Sequence, residues 1–80
     1  MYTLDNEDRE ESPNEIYGKN IALTTMLDLL LLDEINTKNY EFIRLQTLIK
    51  SKHAKLPSDV IVAIDQTFSA YKLAIQKWRP

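Results

Sequence analysis

The chain has 80 residues, a net charge of −2 at pH 7 and no cysteine. This length allows one domain at most, and a chain this short buries only about 60% of the surface that it exposes when unfolded. The lack of cysteine excludes disulfides and thiolate metal sites, so we expect a cytoplasmic protein. The apolar stretch from Ile21 to Ile35 is shorter than the roughly 20 residues that cross a bilayer, and the first residues do not resemble a signal peptide. We therefore expect no association with a membrane.

Charge is distributed unevenly along the chain. Residues 1–15 contain six acidic residues and one arginine, whereas residues 16–80 contain nine basic and six acidic residues. The acidic segment has few apolar residues and ends near Pro13 and Asn14, which favour a break. We predict a flexible acidic tail over residues 1–15 and a single domain over residues 16–80. The tail is typical of a solvated segment, and its charge also suits docking on the basic body or imitation of an acidic partner.

The apolar pattern favours an all-α fold, because the chain has one glycine and no alternating runs that would indicate hairpins. A first helix is predicted from about Lys19 to Leu32 or Asp33. Four consecutive leucines, residues 29–32, point to every side of such a helix. An arc about twice as wide as an ordinary buried stripe is formed by Ala22, Leu23, Met26, Leu27, Leu29, Leu30 and Leu31. This arc needs two neighbouring helices to cover it.

Two further helices complete a predicted antiparallel three-helix bundle. Asn36 or Thr37 caps the start of the second helix through its side-chain oxygen. The second helix places Phe42, Leu45 and Ile49 on one line, which Ile43 and Leu48 widen, and we expect this broad face to be buried. Ser58 is a good N-cap after Pro57, so a third helix is predicted over 59–78. Its clearest heptad-like seam consists of Ile61, Ile64, Phe68, Tyr71, Ile75 and Trp78.

The second and third helices leave one mixed seam of the first helix uncovered. This seam follows a 4-3-4-3 spacing and consists of Ile21, Thr25, Asp28, Leu32 and Ile35. A second copy of the chain would cover it, since twofold symmetry turns one adhesive patch into a closed interface. The chain's own segment around Tyr2, Leu4, Ile16 and Tyr17 is the alternative cover. Trp78 extends the seam of the third helix, where it either packs against a partner or neighbouring helix or anchors a binding partner.

The sequence offers no set of residues for catalysis. His53 is the only histidine, it lies among lysines at a predicted helix end, and no glycine-rich loop accompanies it. Cations are favourable at the negative end of a helix dipole, so His53 is interpreted as a surface residue. We expect a protein that is not an enzyme and that holds no cofactor and no metal.

One basic stretch supports an alternative function. Lys50, Lys52 and Lys55 could contact phosphates, and Ser58 after a short turn imitates the second helix of a helix-turn-helix motif. A recognition helix exposes polar residues in its first turns, whereas residues 60–64 are apolar. The acidic tail also opposes phosphate binding. A dimeric nucleic-acid-binding regulator therefore stays the alternative to a protein-binding one.

The order of features over about residues 18–72 resembles the small enterobacterial regulators of the YmgB/AriR type. The segment from Asn36 to Ile49, which begins NTKNY, and the step SDVI at residues 58–61 carry this resemblance. The family usually has a glycine between its first two helices, where this chain has Asp33, Glu34 and Ile35. The resemblance implies a dimeric helical regulator of biofilm or acid-stress responses and no catalytic residues. Together these features predict a small, non-enzymatic regulatory or adaptor protein that binds other proteins as a homodimer.

Overall fold

The computed structural model of the protein describes residues 11–78, which form three helices joined by short turns. They are α1 (Pro13–Leu31), α2 (Tyr40–His53) and α3 (Ser58–Trp78). No strand occurs among residues 11–78, so the predicted all-α fold is confirmed. Most of the predicted acidic tail lies outside the described residues, but its last three residues already belong to α1.

α1 begins at Pro13, six residues before the predicted start. The Ser12 hydroxyl accepts a hydrogen bond from the Glu15 amide at 3.1 Å, and the Ser12 amide donates to the Glu15 carboxylate at 2.8 Å. This reciprocal pair is a capping box, and proline is favoured directly after it because the first helical turn needs no N–H donor there. The predicted start at Lys19 is wrong because Pro13 opens the helix instead of breaking the chain.

α1 ends in a tight turn that returns the chain to the core. The Glu34 amide donates to the Leu29 carbonyl at 2.7 Å, the Asp33 amide donates to the Leu30 carbonyl at 3.1 Å, and Asp33 has a φ of 60°. This pattern is a Schellman motif, which satisfies the last carbonyls of the helix. It places Ile35 in the core, where only 1% of its surface is exposed. The prediction that Ile35 extends the seam of the first helix is wrong, because the helix ends before it.

The turn before α2 is held by two asparagines. The Asn36 side-chain oxygen accepts from the amides of Lys38 and Asn39 at 2.9 and 3.1 Å, and the Asn39 side-chain oxygen accepts from the Asn36 amide at 2.8 Å. Asn36 therefore accepts hydrogen bonds from free amides, as predicted. The helix itself begins three residues after Thr37, at Tyr40. α3 begins at Ser58, within one residue of its predicted start.

The core lies between α3 and the other two helices. Its buried apolar side chains are Ala22, Met26, Ile35, Tyr40, Ile43, Val60, Ile64, Phe68 and Ile75. The rings of Tyr40 and Phe68 pack edge to face with their centroids 5.7 Å apart. The Tyr40 hydroxyl donates a hydrogen bond to the Phe68 carbonyl, so the one polar atom of this ring is satisfied inside the core.

Contacts between the helices are unequal. The most extensive interface joins α1 and α3, and α2 contacts α3 less extensively. The starts of α1 and α3 lie together, because the Asn14 side-chain amide donates to the Asp59 carboxylate at 3.1 Å. Glu41, in the first turn of α2, forms an ion pair with Lys72 of α3. Arg44, which follows it in α2, forms an ion pair with Asp65, which precedes Lys72 in α3. The Cα atoms span 38 × 32 × 17 Å, so the molecule is flat and leaves much of each helix exposed.

Candidate protein interaction surfaces

The first exposed apolar surface is on α2. At about 100° per residue, Phe42, Leu45 and Ile49 lie on the side of the helix opposite Tyr40 and Ile43. They are 62%, 48% and 54% exposed, respectively, and together we call them the α2 outer face. The prediction is wrong for these three residues, whereas Ile43, which belongs to the same predicted face, is buried and Leu48 is partly buried against the core. α2 has two apolar sides, and the structure buries the one that holds Tyr40.

Charged residues flank the α2 outer face at both ends. Glu41 lies in the first turn, and Lys50, Lys52 and His53 lie in the last turn, as the helix dipole favours. The Arg44 guanidinium donates to the Glu41 carboxylate at 2.9 Å and also pairs with Asp65. This hydrogen bond lowers the pKa of Glu41 below its ordinary value and raises the pKa of Arg44. Glu41 therefore stays negatively charged throughout the neutral range.

The second apolar surface is a groove between the C-terminal halves of α1 and α3. A cavity of about 270 Å³ opens there, and we call it the leucine groove; it is lined by Leu23, Met26, Leu27, Leu30, Tyr71 and Ile75. Leu27 is exposed at its edge, and Leu31, one turn further along α1, is exposed as well. Trp78 lies one turn after Ile75, is 76% exposed and extends the apolar surface beyond the end of α1.

The leucine groove opens beyond a close contact between the starts of α1 and α3. A Cβ atom built on Gly18 would lie 2.4 Å from the Val60 carbonyl oxygen and 2.7 Å from the Ala63 Cβ. Ala63 thus lets α1 approach α3 closely. Further along, large side chains such as Leu30 and Tyr71 replace these small residues, so space opens between the helices. The expected covering of the whole leucine arc is therefore wrong at Leu27 and Leu31.

The predicted interface residues do not form one surface. Thr25 and Asp28 line a mixed groove between α1 and α2 of about 450 Å³, and the Thr25 hydroxyl donates to the Ile21 carbonyl at 2.8 Å. Ile21 is half-buried against the core, and Leu32 is exposed after the last residue of α1. Trp78 follows the line of Tyr71 and Ile75 towards the end of the leucine groove. With Ile35 in the core, the predicted continuous seam is absent from residues 11–78.

The basic stretch lies at the end of α2. Lys50, Lys52, His53 and Lys55 are exposed, and Lys50 also lines the mixed groove together with Asp28. Within residues 11–78 no group of three or more acidic, histidine or cysteine side chains is arranged to hold a metal ion. None of the three helices in this part of the chain has the length and apolar character needed to cross a bilayer.

Sequence reasoning alone missed the two apolar surfaces. Periodicity correctly places Phe42, Leu45 and Ile49 on one side of α2 but contains no signal for which side faces the core. The close contact at Gly18 had a detectable signal, because Gly18 and Ala22 are four residues apart and small residues at this spacing let helices approach closely. Comparisons with models of known protein families, with curated proteins and with solved structures found no match to this chain.

Proposed function

We propose that the protein is a small, non-enzymatic regulatory or adaptor protein that acts by protein–protein interaction as a homodimer. In this proposal the three helices form the antiparallel bundle that the sequence predicts. The regulatory role rests on the resemblance to YmgB/AriR-type proteins. The binding role rests on the apolar surfaces described above.

The observation that carries the proposal is the exposure of large apolar side chains on all three helices. Two groups of them are contiguous, one on the α2 outer face and one around the leucine groove. The remaining exposed apolar residues lie elsewhere and are Ile16, Tyr17, Leu32, Val62 and Leu73. Contiguous exposed apolar surface on a small domain is typical of a binding site, because its contact with water is unfavourable when no partner covers it. An aromatic residue at the end of such a groove, here Trp78, is a common anchor in protein interfaces.

The leucine groove suits the apolar side of a helix from another protein. It is open along two helices, and side chains at helical spacing can insert between Leu27 and Tyr71. The α2 outer face is separate from it, so the molecule has one surface for a second copy and another for a partner. This division would let a dimer present two identical grooves.

Two measurements test this function. Light scattering of the unmodified protein should give the mass of a dimer at high micromolar concentration, and a monomer would contradict the homodimer. For the groove, proteins captured from native lysate should bind the unmodified protein and be lost with Leu27→Glu. The matched control is Leu73→Glu, since Leu73 is an exposed leucine on α3 that does not line the groove. Equal capture by both variants would contradict a binding role for the groove.

The alternative function is nucleic-acid binding through Lys50, Lys52 and Lys55. The supporting observation is that these three lysines are exposed at one end of α2. If they neutralise phosphates, binding of a DNA or RNA duplex should weaken steeply as salt is raised, because each contact releases counterions. A gel-shift assay that shows no retardation at low salt would contradict this alternative.

A further inference from the structure

We propose that the second copy docks on the α2 outer face, with the two α2 helices antiparallel about a twofold axis near Leu45. This inference rests on the proposed homodimer and assigns its interface. It replaces the predicted seam on the first helix, which loses Ile35 to the core. The three exposed side chains of the α2 outer face are the apolar part of the interface.

The spacing of the α2 outer face fits a twofold axis. Phe42 and Ile49 are seven residues apart, and Leu45 lies close to the midpoint between them. When two identical helices pair antiparallel about that midpoint, Phe42 lies opposite the partner's Ile49, and Leu45 lies beside the partner's Leu45. A large ring therefore meets a branched aliphatic side chain twice, and both ends of the apolar line are covered.

The charges select the antiparallel orientation. Glu41 and Lys52 are eleven residues apart, which places them about 20° from each other around the helix, on the same flank of the apolar line. In an antiparallel pair this flank brings Glu41 of one copy towards Lys52 of the other. In a parallel pair the matching flanks of the two copies lie on opposite sides of the apolar line, so Glu41 and Lys52 would not meet and this attraction would be lost. The two helix dipoles also favour the antiparallel arrangement.

Self-complementarity favours a second copy over a different protein. The α2 outer face has an acidic first turn, whose Glu41 also pairs with Arg44 and Lys72 of its own copy, and a basic last turn. Its own twofold image therefore places each charged end near an opposite charge. The line spans only about 10 Å along the helix axis, which makes a small interface. We therefore expect a dimer that forms at micromolar concentration and dissociates on dilution.

The decisive experiment compares two matched leucine variants by sedimentation equilibrium from low to high micromolar concentration. Leu45→Glu places a charge on the axis and should weaken dimerisation by about tenfold or more. Leu73→Glu, at an exposed leucine on α3, should dimerise like the unmodified protein. Both positions are solvent-exposed in one copy, and circular dichroism should show unchanged helix content for both variants.

Each result has one interpretation. If the unmodified protein is monomeric, both the proposed homodimer and this interface are overturned. If the unmodified protein and both variants dimerise equally, the homodimer stands and the α2 interface is overturned. Loss of the dimer with Leu45→Glu alone supports the interface.

A cross-linking experiment tests the orientation, and the chain helps because it contains no cysteine. Chains with Phe42→Cys and chains with Ile49→Cys are mixed and oxidised under mild conditions. Antiparallel pairing brings the two different positions together, so the mixed disulfide should form in preference to either homodisulfide. Parallel pairing brings identical positions together, and a preference for homodisulfides would overturn the antiparallel arrangement.

Discussion

Gly18 controls how closely α1 approaches α3. In an exposed helix position, replacing glycine with alanine is favourable by about 1 kcal/mol. Here the added Cβ would lie 2.4 Å from a backbone oxygen of α3, which cannot move aside as a flexible side chain can. The clash outweighs the gain in helix propensity, so replacing Gly18 with alanine should destabilise the protein instead of stabilising it.

We expect Gly18→Ala to lower the free energy of unfolding by about 1–2 kcal/mol, because the helices must separate to admit the Cβ atom. Chemical denaturation followed by circular dichroism measures this change. Asn20→Ala in the same helix is the control, since Asn20 is exposed. It should leave the stability unchanged or raise it slightly. A stabilised Gly18→Ala variant would contradict the close approach of α1 and α3.

The ionisation of Tyr40 makes the free energy of unfolding depend on pH in the alkaline range. Burial of the phenol, together with the charge of Glu41, raises its pKa from 10.0 to about 12. A raised pKa means that the folded state holds the proton more tightly than the unfolded state. The contribution of this raised pKa to the free energy of unfolding is on the order of 2 kcal/mol. It is fully present below pH 10 and is lost as the pH rises through 12.

The test compares the unmodified protein with Tyr40→Phe. At pH 8 the unmodified protein should be more stable by about 1 kcal/mol, because only it donates the hydrogen bond to the Phe68 carbonyl. Between pH 10 and pH 12 this advantage should shrink and then reverse, since phenylalanine has no proton to lose. Urea denaturation at several pH values measures the difference. An advantage that stays constant across this range would contradict the raised pKa.

At the scale of the helices, the turn that follows α2 contains a residue in a conformation that favours glycine. The Leu56 amide donates to the Ser51 carbonyl at 3.2 Å and the Lys55 amide to the Lys52 carbonyl at 3.0 Å, which is a second Schellman motif. Lys55 has a φ of 59°, which costs about 1–2 kcal/mol for a residue with a side chain. Glycine avoids this cost but loses about 0.5–1 kcal/mol in unfolded-state entropy.

Lys55→Gly should therefore stabilise the protein by about 0.5–1 kcal/mol, as the difference between these two terms. Thermal and urea denaturation both measure this change. Lys50→Gly is the control, because Lys50 has ordinary helical geometry and its replacement should destabilise the protein by about 1 kcal/mol. If both substitutions destabilise equally, the left-handed conformation at Lys55 is wrong.

The helices also show what a single sequence can predict. The position of α3 was predictable, because Pro57 and Ser58 mark its start and its apolar seam has one period throughout. The start of α1 also had a signal, because Ser12 and Glu15 have the spacing of a capping box with Pro13 at the first helical position, and it was missed because Pro13 was interpreted as a break. The core side of α2 was ambiguous. It depends on where Tyr40 finds a hydrogen-bond acceptor, and that acceptor belongs to α3.

At the scale of the whole molecule, the flat shape explains why apolar surface remains exposed. α1 packs mainly on α3, so part of the apolar circumference of α1 has no helix over it. The sequence therefore predicted correctly that one copy cannot cover all of its leucines, but placed the exposed surface on the wrong side of the first helix. Which side of α1 is exposed depends on the close contact at Gly18 and on the turn that buries Ile35. The apolar periodicity of the sequence predicts neither of them.

If the homodimer forms through α2, stability should depend on protein concentration, because mass action favours the associated folded state. A tenfold increase in concentration is worth about 1.4 kcal/mol per dimer, or about 0.7 kcal/mol per chain. For a domain of this size the melting temperature should then rise by about 3–6 °C per tenfold increase. Differential scanning calorimetry over a wide concentration range measures this slope.

The same measurement on Leu45→Glu separates association from intrinsic stability. A charge on the α2 outer face weakens the dimer but leaves the core of one copy intact, so the rise of the melting temperature should begin only at a concentration about tenfold higher or more. Leu73→Glu should keep the slope of the unmodified protein, because Leu73 lies on α3 away from the proposed axis. An unmodified protein whose melting temperature is independent of concentration would show that one copy is stable with Phe42, Leu45 and Ile49 in water. The exposed apolar surface would then have to serve a partner other than a second copy.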